Sequence, residues 1–170
     1  AGVERHEFSG PGGPGAFVGP TMYHHAMVTI ALASAQHLKP EPATEAVLHE
    51  LVAVIVGAQS TTGGWRYTPV PLDADASVTN LVLVALAEAR AAEIAVPDST
   101  IAKGFNYLAL CTNPENGLVS YTEHPAGKVS LPDGYARTAG AAHALGRFGL
   151  NQSTETLLAT LDHSRESIAV

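Results

Sequence analysis

Across 170 residues the chain carries nine basic against sixteen acidic groups, a formal net charge of −7. No Lys/Arg cluster breaks that balance, which excludes a phosphate-tracking nucleic-acid surface. A hydrophobic share of 46%, only 15% charged residues and a mean hydropathy of +0.12 exclude disorder and fit a single domain with a well-covered core.

Residues 1 to about 20 read as an extended lead-in: Gly10-Pro11-Gly12-Gly13-Pro14-Gly15 couples high backbone entropy to missing donors and suits neither helix nor strand. From there to residue 170 the chain reads as one domain of helix hairpins. Six apolar segments of helical length are expected at 21–37, 43–59, 76–92, 98–111, 135–148 and 152–165. The first, third and fifth are apolar nearly all round, as helices with neighbours on most sides must be, and read as inner helices. The second and fourth carry polar faces and read as outer helices. In the second, Leu48, Leu51, Val52 and Ile55 recur at helical spacing, with Glu45, His49 and Glu50 between them. Boundary residues agree with this division. Pro42 suits a first turn, Asp75 or Ser77 can cap the third helix, Asp98 or Ser99 the fourth, and Ser153 the sixth.

A repeat runs through these elements. Gly63-Gly64-Trp65-Arg66-Tyr67 is echoed 54 residues later by Gly117-Leu118-Val119-Ser120-Tyr121. The pairs Ala31-Leu32, Ala85-Leu86 and Ala144-Leu145 lie 54 and then 59 residues apart. A period this long fits a two-helix unit with a long outer-to-inner connection, and it exceeds the roughly 34 residues of tetratricopeptide repeats.

The longest apolar stretches, such as 77–87, fall well short of the roughly 20 residues that cross a bilayer, so a soluble protein without a transmembrane segment is expected. The chain starts at Ala1 rather than Met, so an upstream segment is expected to have been removed or left out. The compartment is therefore open, with the cytoplasm slightly favoured. The single Cys111 excludes an internal disulfide and a thiolate zinc site. The eight histidines have no metal-ligand spacing, and no dinucleotide fingerprint, P-loop or nucleophile elbow is present, so neither metal nor cofactor is expected.

The run Gln59-Ser60-Thr61-Thr62-Gly63-Gly64-Trp65 resembles the back half of the QW motif of squalene and oxidosqualene cyclases. Lys103-Gly104-Phe105-Asn106-Tyr107-Leu108 resembles its front half, although Thr112 then stands where Gln would be and Gly117-Leu118-Val119 arrives one residue late. Gly64-Trp65-Arg66-Tyr67 followed by Asp73-Ala74-Asp75-Ala76-Ser77-Val78-Thr79 is similar to a bacterial group labelled prenyltransferase and squalene oxidase repeat proteins. Together these resemblances cover about residues 20–150. They imply an all-α, (α/α) toroid architecture of the terpene cyclase and protein prenyltransferase type. Such rings normally hold about six hairpins, so six helices here imply a partial, half toroid.

In class II terpene cyclases an Asp-x-Asp-Asp-Thr motif supplies the general acid. The resemblance places Asp75 at the acid's position, with Asp73 beside it and Ala76 where the last carboxylate would stand. The residues equally support a structural reading, with Asp75 as N-cap and Asp73 in the preceding turn. The resemblance also implies an aromatic-lined cavity, for which the candidates are Tyr23, Trp65, Tyr67 and Tyr121. For Gln59, Trp65 and Tyr67 the physical alternative is a staple between hairpins: an indole packed on the glutamine, whose carboxamide serves amides at a neighbouring helix N-terminus. The Asp-x-Cys zinc motif of prenyltransferase β subunits and the Cys-Gly-Glu-Gln of thioester domains are both missing.

Three functions are thus expected in order. The first is a repeat domain that binds an apolar or isoprenoid ligand without catalysis of its own. The second is a protein interaction module or fragment of a larger toroid, and the third an active cyclase using Asp75. Inner helices of a half ring would expose apolar surface, so a homodimer or the remainder of a longer chain is expected to cover it.

Overall fold

A computed structural model describes residues 5–10, 13–18, 21–125, 127 and 129–166, as backbone alone before residue 21, at 131 and beyond 162. Six helices form the body: α1 (Met22–Leu38), α2 (Pro42–Gly57), α3 (Ala76–Ala91), α4 (Asp98–Cys111), α5 (Leu131–Arg147) and α6 (Asn151–Glu166). The class is all-α. The expectation that the glycine- and proline-rich lead-in holds no strand is corrected. Arg5–Gly10 and Gly13–Val18 form an antiparallel pair, β1 and β2, with Arg5 opposite Val18 and Gly10 opposite Gly13. The missing donor of Pro14 is tolerated because each strand is an edge. Residues 1–4, 11, 12, 19 and 20 of that lead-in lie outside the described residues.

The helices stack in two layers. α3 packs between α1 and α5, while α2, α4 and α6 lie against α1, α3 and α5 respectively. This is the alternation expected from the apolar and half-polar segments. The core lies between the layers, where Leu48, Leu51 and Ile55 of α2 and Leu83 and Leu86 of α3 are fully buried. It closes around Met22, Trp65 and Tyr107.

Several boundaries differ from expectation for local reasons. α5 begins one turn early because Ser130 caps it, its Oγ accepting from Asp133 N–H, and Pro132 fits the first turn. The N-cap of α4 is Pro97 rather than Asp98 or Ser99, and Asp98 pairs with Arg90 instead. Ser153 lies inside α6, not ahead of it. Pro42 and Asp75 behave as expected, in the first turn of α2 and as the cap of α3. α3 and α5 end alike, with a left-handed residue past the last turn and an N–H returning to the helix. Ile94 N–H reaches Ala89 O and Leu150 N–H reaches Leu145 O, both at 3.0 Å. The left-handed residue is Gly149 after α5 but Glu93, with φ 64°, after α3.

Candidate functional site

The connections that follow α2 and α4 share one backbone circuit. Ser60 N–H binds Gly64 O at 2.9 Å in the first, and Asn113 N–H binds Leu118 O at 2.9 Å in the second. The one extra residue in the second turn accounts for the late arrival of Val119. Both turns rely on a left-handed glycine, Gly63 and Gly117. From them Trp65 N–H reaches Thr79 Oγ1 at 3.1 Å on α3, and Val119 N–H reaches Thr138 Oγ1 at 2.9 Å on α5.

Each connection then returns to the preceding inner helix. Met22 N–H donates to Tyr67 O at 2.7 Å, and Ala76 N–H donates to Tyr121 O at 2.9 Å. Both bonds satisfy a helix N-terminal amide that has no partner within its helix. The 54-residue echo of the two tyrosines therefore marks a repeated backbone joint.

That joint gathers most of the residues singled out in the sequence. The hydroxyls of Tyr67 and Tyr121 share a hydrogen bond, and the ring of Tyr23 lies 6.0 Å from that of Tyr67. The Arg66 guanidinium sits 5.5 Å from the centroids of both the Tyr67 and the Tyr121 ring, and Arg137 lies 6.0 Å from Tyr121 on α5. Arg66 Nη1 also binds Asp73 at 2.9 Å, and its Nε is 3.7 Å from Asp75 Oδ2. Asp73 is exposed, whereas Asp75 is fully buried.

Asp75 divides its two oxygens between two tasks. Oδ1 accepts from Ser77 N–H and Val78 N–H, both at 2.9 Å, which is the N-cap role. Oδ2 is buried without a hydrogen-bond partner among the described residues. Burial pushes the carboxyl above its ordinary range. The two cap amides, the Arg66 charge and the nearby Tyr121 hydroxyl oppose that shift by favouring the ionised form. Burial likewise raises the Tyr23 and Tyr121 phenols, so both hydroxyls stay protonated at neutral pH.

Trp65 stands apart from this cluster. It is fully buried, its indole N–H donates to Ile55 O at 2.7 Å, and its ring occupies the space a side chain at Gly104 would need. Gln59 staples the same region, but its carboxamide donates to the carbonyls of Gly63 at 2.7 Å and Thr100 at 2.8 Å instead of accepting from amides. Arg66, Arg137 and Ser77 belong to the cluster and were not among the expected site residues, although Ser77 was a cap candidate and Arg66 part of the repeated motif. The usable signal was a cation lodged between Trp65 and Tyr67 in a motif that repeats its tyrosine.

The cluster caps one end of a regular face. Ser77, Leu81, Val84 and Glu88 are the half-buried positions of α3, at i, i+4, i+7 and i+11, on the side turned away from the second layer. The repeat aligns them with Tyr23, Met27, Ile30 and Ser34 on α1, and with Ala136, Gly140, His143 and Arg147 on α5. Contacts at both ends fix the register: Tyr23 meets the Ser77 hydroxyl, and Glu88 binds Arg147 at 2.5 Å. The middle rows are apolar on α1 and α3, with Met27 59% exposed and Ile30, Leu81 and Val84 half-buried. A separate concavity of about 400 Å³ lies at the opposite ends of α1 and α3, lined by Gln36, His37, Glu45 and Glu93 and by none of the expected site residues.

No protein-family model, curated protein or solved structure matches the chain.

Proposed function

We propose that the chain is a cyclase- and prenyltransferase-like helix-hairpin repeat domain that holds an apolar, isoprenoid-type chain along its inner face without catalysis of its own. The observation that carries the reading is the ordered face itself. Met27, Ile30, Leu81 and Val84 form an apolar strip that meets a tyrosine- and arginine-lined end at Tyr23, Tyr67, Tyr121 and Arg66. An elongated hydrocarbon gains by covering such a strip, and a polar terminus finds hydroxyl and guanidinium donors at its end. The 54-residue joint and the two-layer hairpin order support the (α/α) toroid reading from which the isoprenoid class comes.

Native mass spectrometry of the purified chain, alone and with added farnesol, tests this. The expected result is a bound mass under gentle conditions that is lost on denaturation, and that disappears in Leu81→Glu with an unchanged helical spectrum. A chain that stays free of ligand in both samples rejects the reading and moves the weight to a protein interaction module.

One observation favours a second reading, a class II cyclase with Asp75 as the acid. Asp75 Oδ2 is a buried carboxyl oxygen with no hydrogen-bond partner among the described residues, 3.7 Å from Arg66 Nε, and burial raises its pKa. Asp75→Asn keeps an oxygen for the α3 cap, so the fold should survive. Turnover of a polyene such as squalene by the parent and its loss in this variant would support the acid role; a parent that leaves squalene unchanged removes it.

A further inference from the structure

The concavity of about 400 Å³ at the far ends of α1 and α3 takes no part in the reading of the inner face. Gln36 lines it and is only 6% exposed. The Glu41 backbone N–H donates to Gln36 Oε1 at 3.0 Å. An N–H can only donate, so this bond fixes which end of the carboxamide faces Glu41 and leaves the NH2 group as the free end. Gln36 Nε2 has no hydrogen-bond partner among the described residues. Nor is it sealed in the core, since the fully buried side-chain atoms without a partner there are Asp75 Oδ2 and Asn80 Oδ1. A side chain more than nine-tenths buried thus keeps its donors open where it borders the concavity.

The rest of the lining has the opposite polarity. Glu45 of α2 and Glu93 after α3 border the concavity, and among the described residues no Lys or Arg does. The nearby cations are engaged elsewhere: Lys39 Nζ lies 2.8 Å from Glu41, and Arg90 pairs with Asp98. Glu45 Oε1 stands 3.9 Å from His49 Nε2, too far for a hydrogen bond. His37 Nδ1–H donates to Ala91 O at 2.9 Å, which leaves Nε2 of the neutral ring as an acceptor. Both α1 and α3 end here, and their C-termini add partial negative charge. Glu93 also holds the left-handed position that Gly149 fills after α5, so a carboxylate stands where the backbone would accept glycine more easily.

We propose that this concavity binds a small organic ammonium whose charge faces Glu45 and Glu93 and whose neutral oxygen accepts from the Gln36 NH2 group. A metal ion is the poorer match, because no group of three or more His, Cys, Asp or Glu among the described residues is placed to hold one. The two glutamates repel a carboxylate on the ligand, which selects a carbonyl or hydroxyl oxygen as the acceptor. Pro40 and Ala92 supply apolar wall beside these groups, and the volume suits a small ligand. The tyrosine cluster lies at the opposite ends of α1 and α3, so the inference does not depend on the ligand proposed for the inner face.

Amide-resolved NMR titration of the whole chain at low ionic strength tests it with three probes. Alaninamide carries both the ammonium and the carbonyl, isopropylamine lacks the carbonyl, and propionamide lacks the charge. The expected result is that alaninamide shifts the signals of Gln36, His37 and residues 91–93, and that the two fragments bind at least about tenfold more weakly. Glu93→Gly, at a position whose backbone suits glycine, and Glu45→Gln, at an exposed position, should each weaken alaninamide at least about tenfold with an unchanged helical spectrum. Alaninamide that leaves those signals in place overturns the proposal. Propionamide binding as tightly as alaninamide overturns the recognition of charge, and isopropylamine doing so overturns the contact to Gln36. Variants that bind like the parent remove the carboxylates from the contact and overturn it as well.

Discussion

The two connections, residues 58–75 and 112–130, perform the same task with different side chains. Both turn on a left-handed glycine, both send an amide to a threonine on the next inner helix, and both return a tyrosine carbonyl to the N-terminus of the previous one. The first fills the space behind that circuit with Trp65, while the second has Val119 there and pins its turn with Asn113, whose Oδ1 accepts from Glu115 and Asn116 N–H. What repeats is the backbone circuit. The indole is one way to pack it.

Three experiments sharpen this contrast, beginning with the largest effect. Trp65→Ala should lower stability by about 3–5 kcal/mol in urea denaturation, since it empties a fully buried site against Gly104. Val119→Ala should cost distinctly less, about 1–2 kcal/mol, because fewer buried atoms are removed. Equal losses would show that the tryptophan contributes no more packing than the valine.

Next come the threonines. Thr79→Val and Thr138→Val each leave a buried amide without its acceptor, and each should cost about 1–3 kcal/mol. Similar values at the two sites would confirm a common circuit beneath unlike side chains. A large loss at Thr79 with none at Thr138 would confine it to the first connection.

The smallest effect concerns the repeat that has no preceding connection among the described residues. His25 occupies on α1 the position that Thr79 holds on α3, and its Nε2–H donates to Leu51 O at 3.0 Å. Burial lowers its pKa, and the bond to Leu51 offsets that only in part. The unfolded chain therefore takes up the proton first. Its stabilising contribution is complete above about pH 6.5 and declines as the pH falls below that value toward the folded pKa. Asp75, whose pKa is raised, acts in the opposite sense at lower pH, where protonation favours the fold. Comparing urea midpoints of the parent and His25→Gln between pH 7.5 and about 5.5 isolates the histidine; parallel curves would show that His25 ionises freely in the fold.

Much of the fold was legible because its signals are local. The apolar third segment announced α3 as packed on several sides, and the repeated Gly-x-x-x-Tyr pattern announced equivalent connections; α1 reads the same way in sequence yet leaves His24, Met27, Ala31 and Ala35 exposed. Asp75 was readable as a cap from its place alone. The early start of α5 was missed because Ser130 and Pro132 follow a stretch with no apolar rhythm. The β1–β2 pair was missed because glycine and proline report low intrinsic preference and say nothing of pairing. In the site, the tyrosines and aspartates were singled out by what the cyclase resemblance implies. The positions of Arg66 and Arg137 depend on a meeting of α3, α5 and two connections that no single segment encodes, and the apolar strip emerges only when α1 and α3 are set side by side.

The bond from Met22 N–H to the carbonyl of Tyr67 spans 45 positions of chain. The first helix is thus finished by atoms that lie beyond the second, and the third by atoms beyond the fourth. A hairpin cut out on its own lacks the acceptor for its opening amide, so hairpins are not interchangeable bricks that mature one after another. The opening amide of each of these inner helices is satisfied only where the following tyrosine turn is in place.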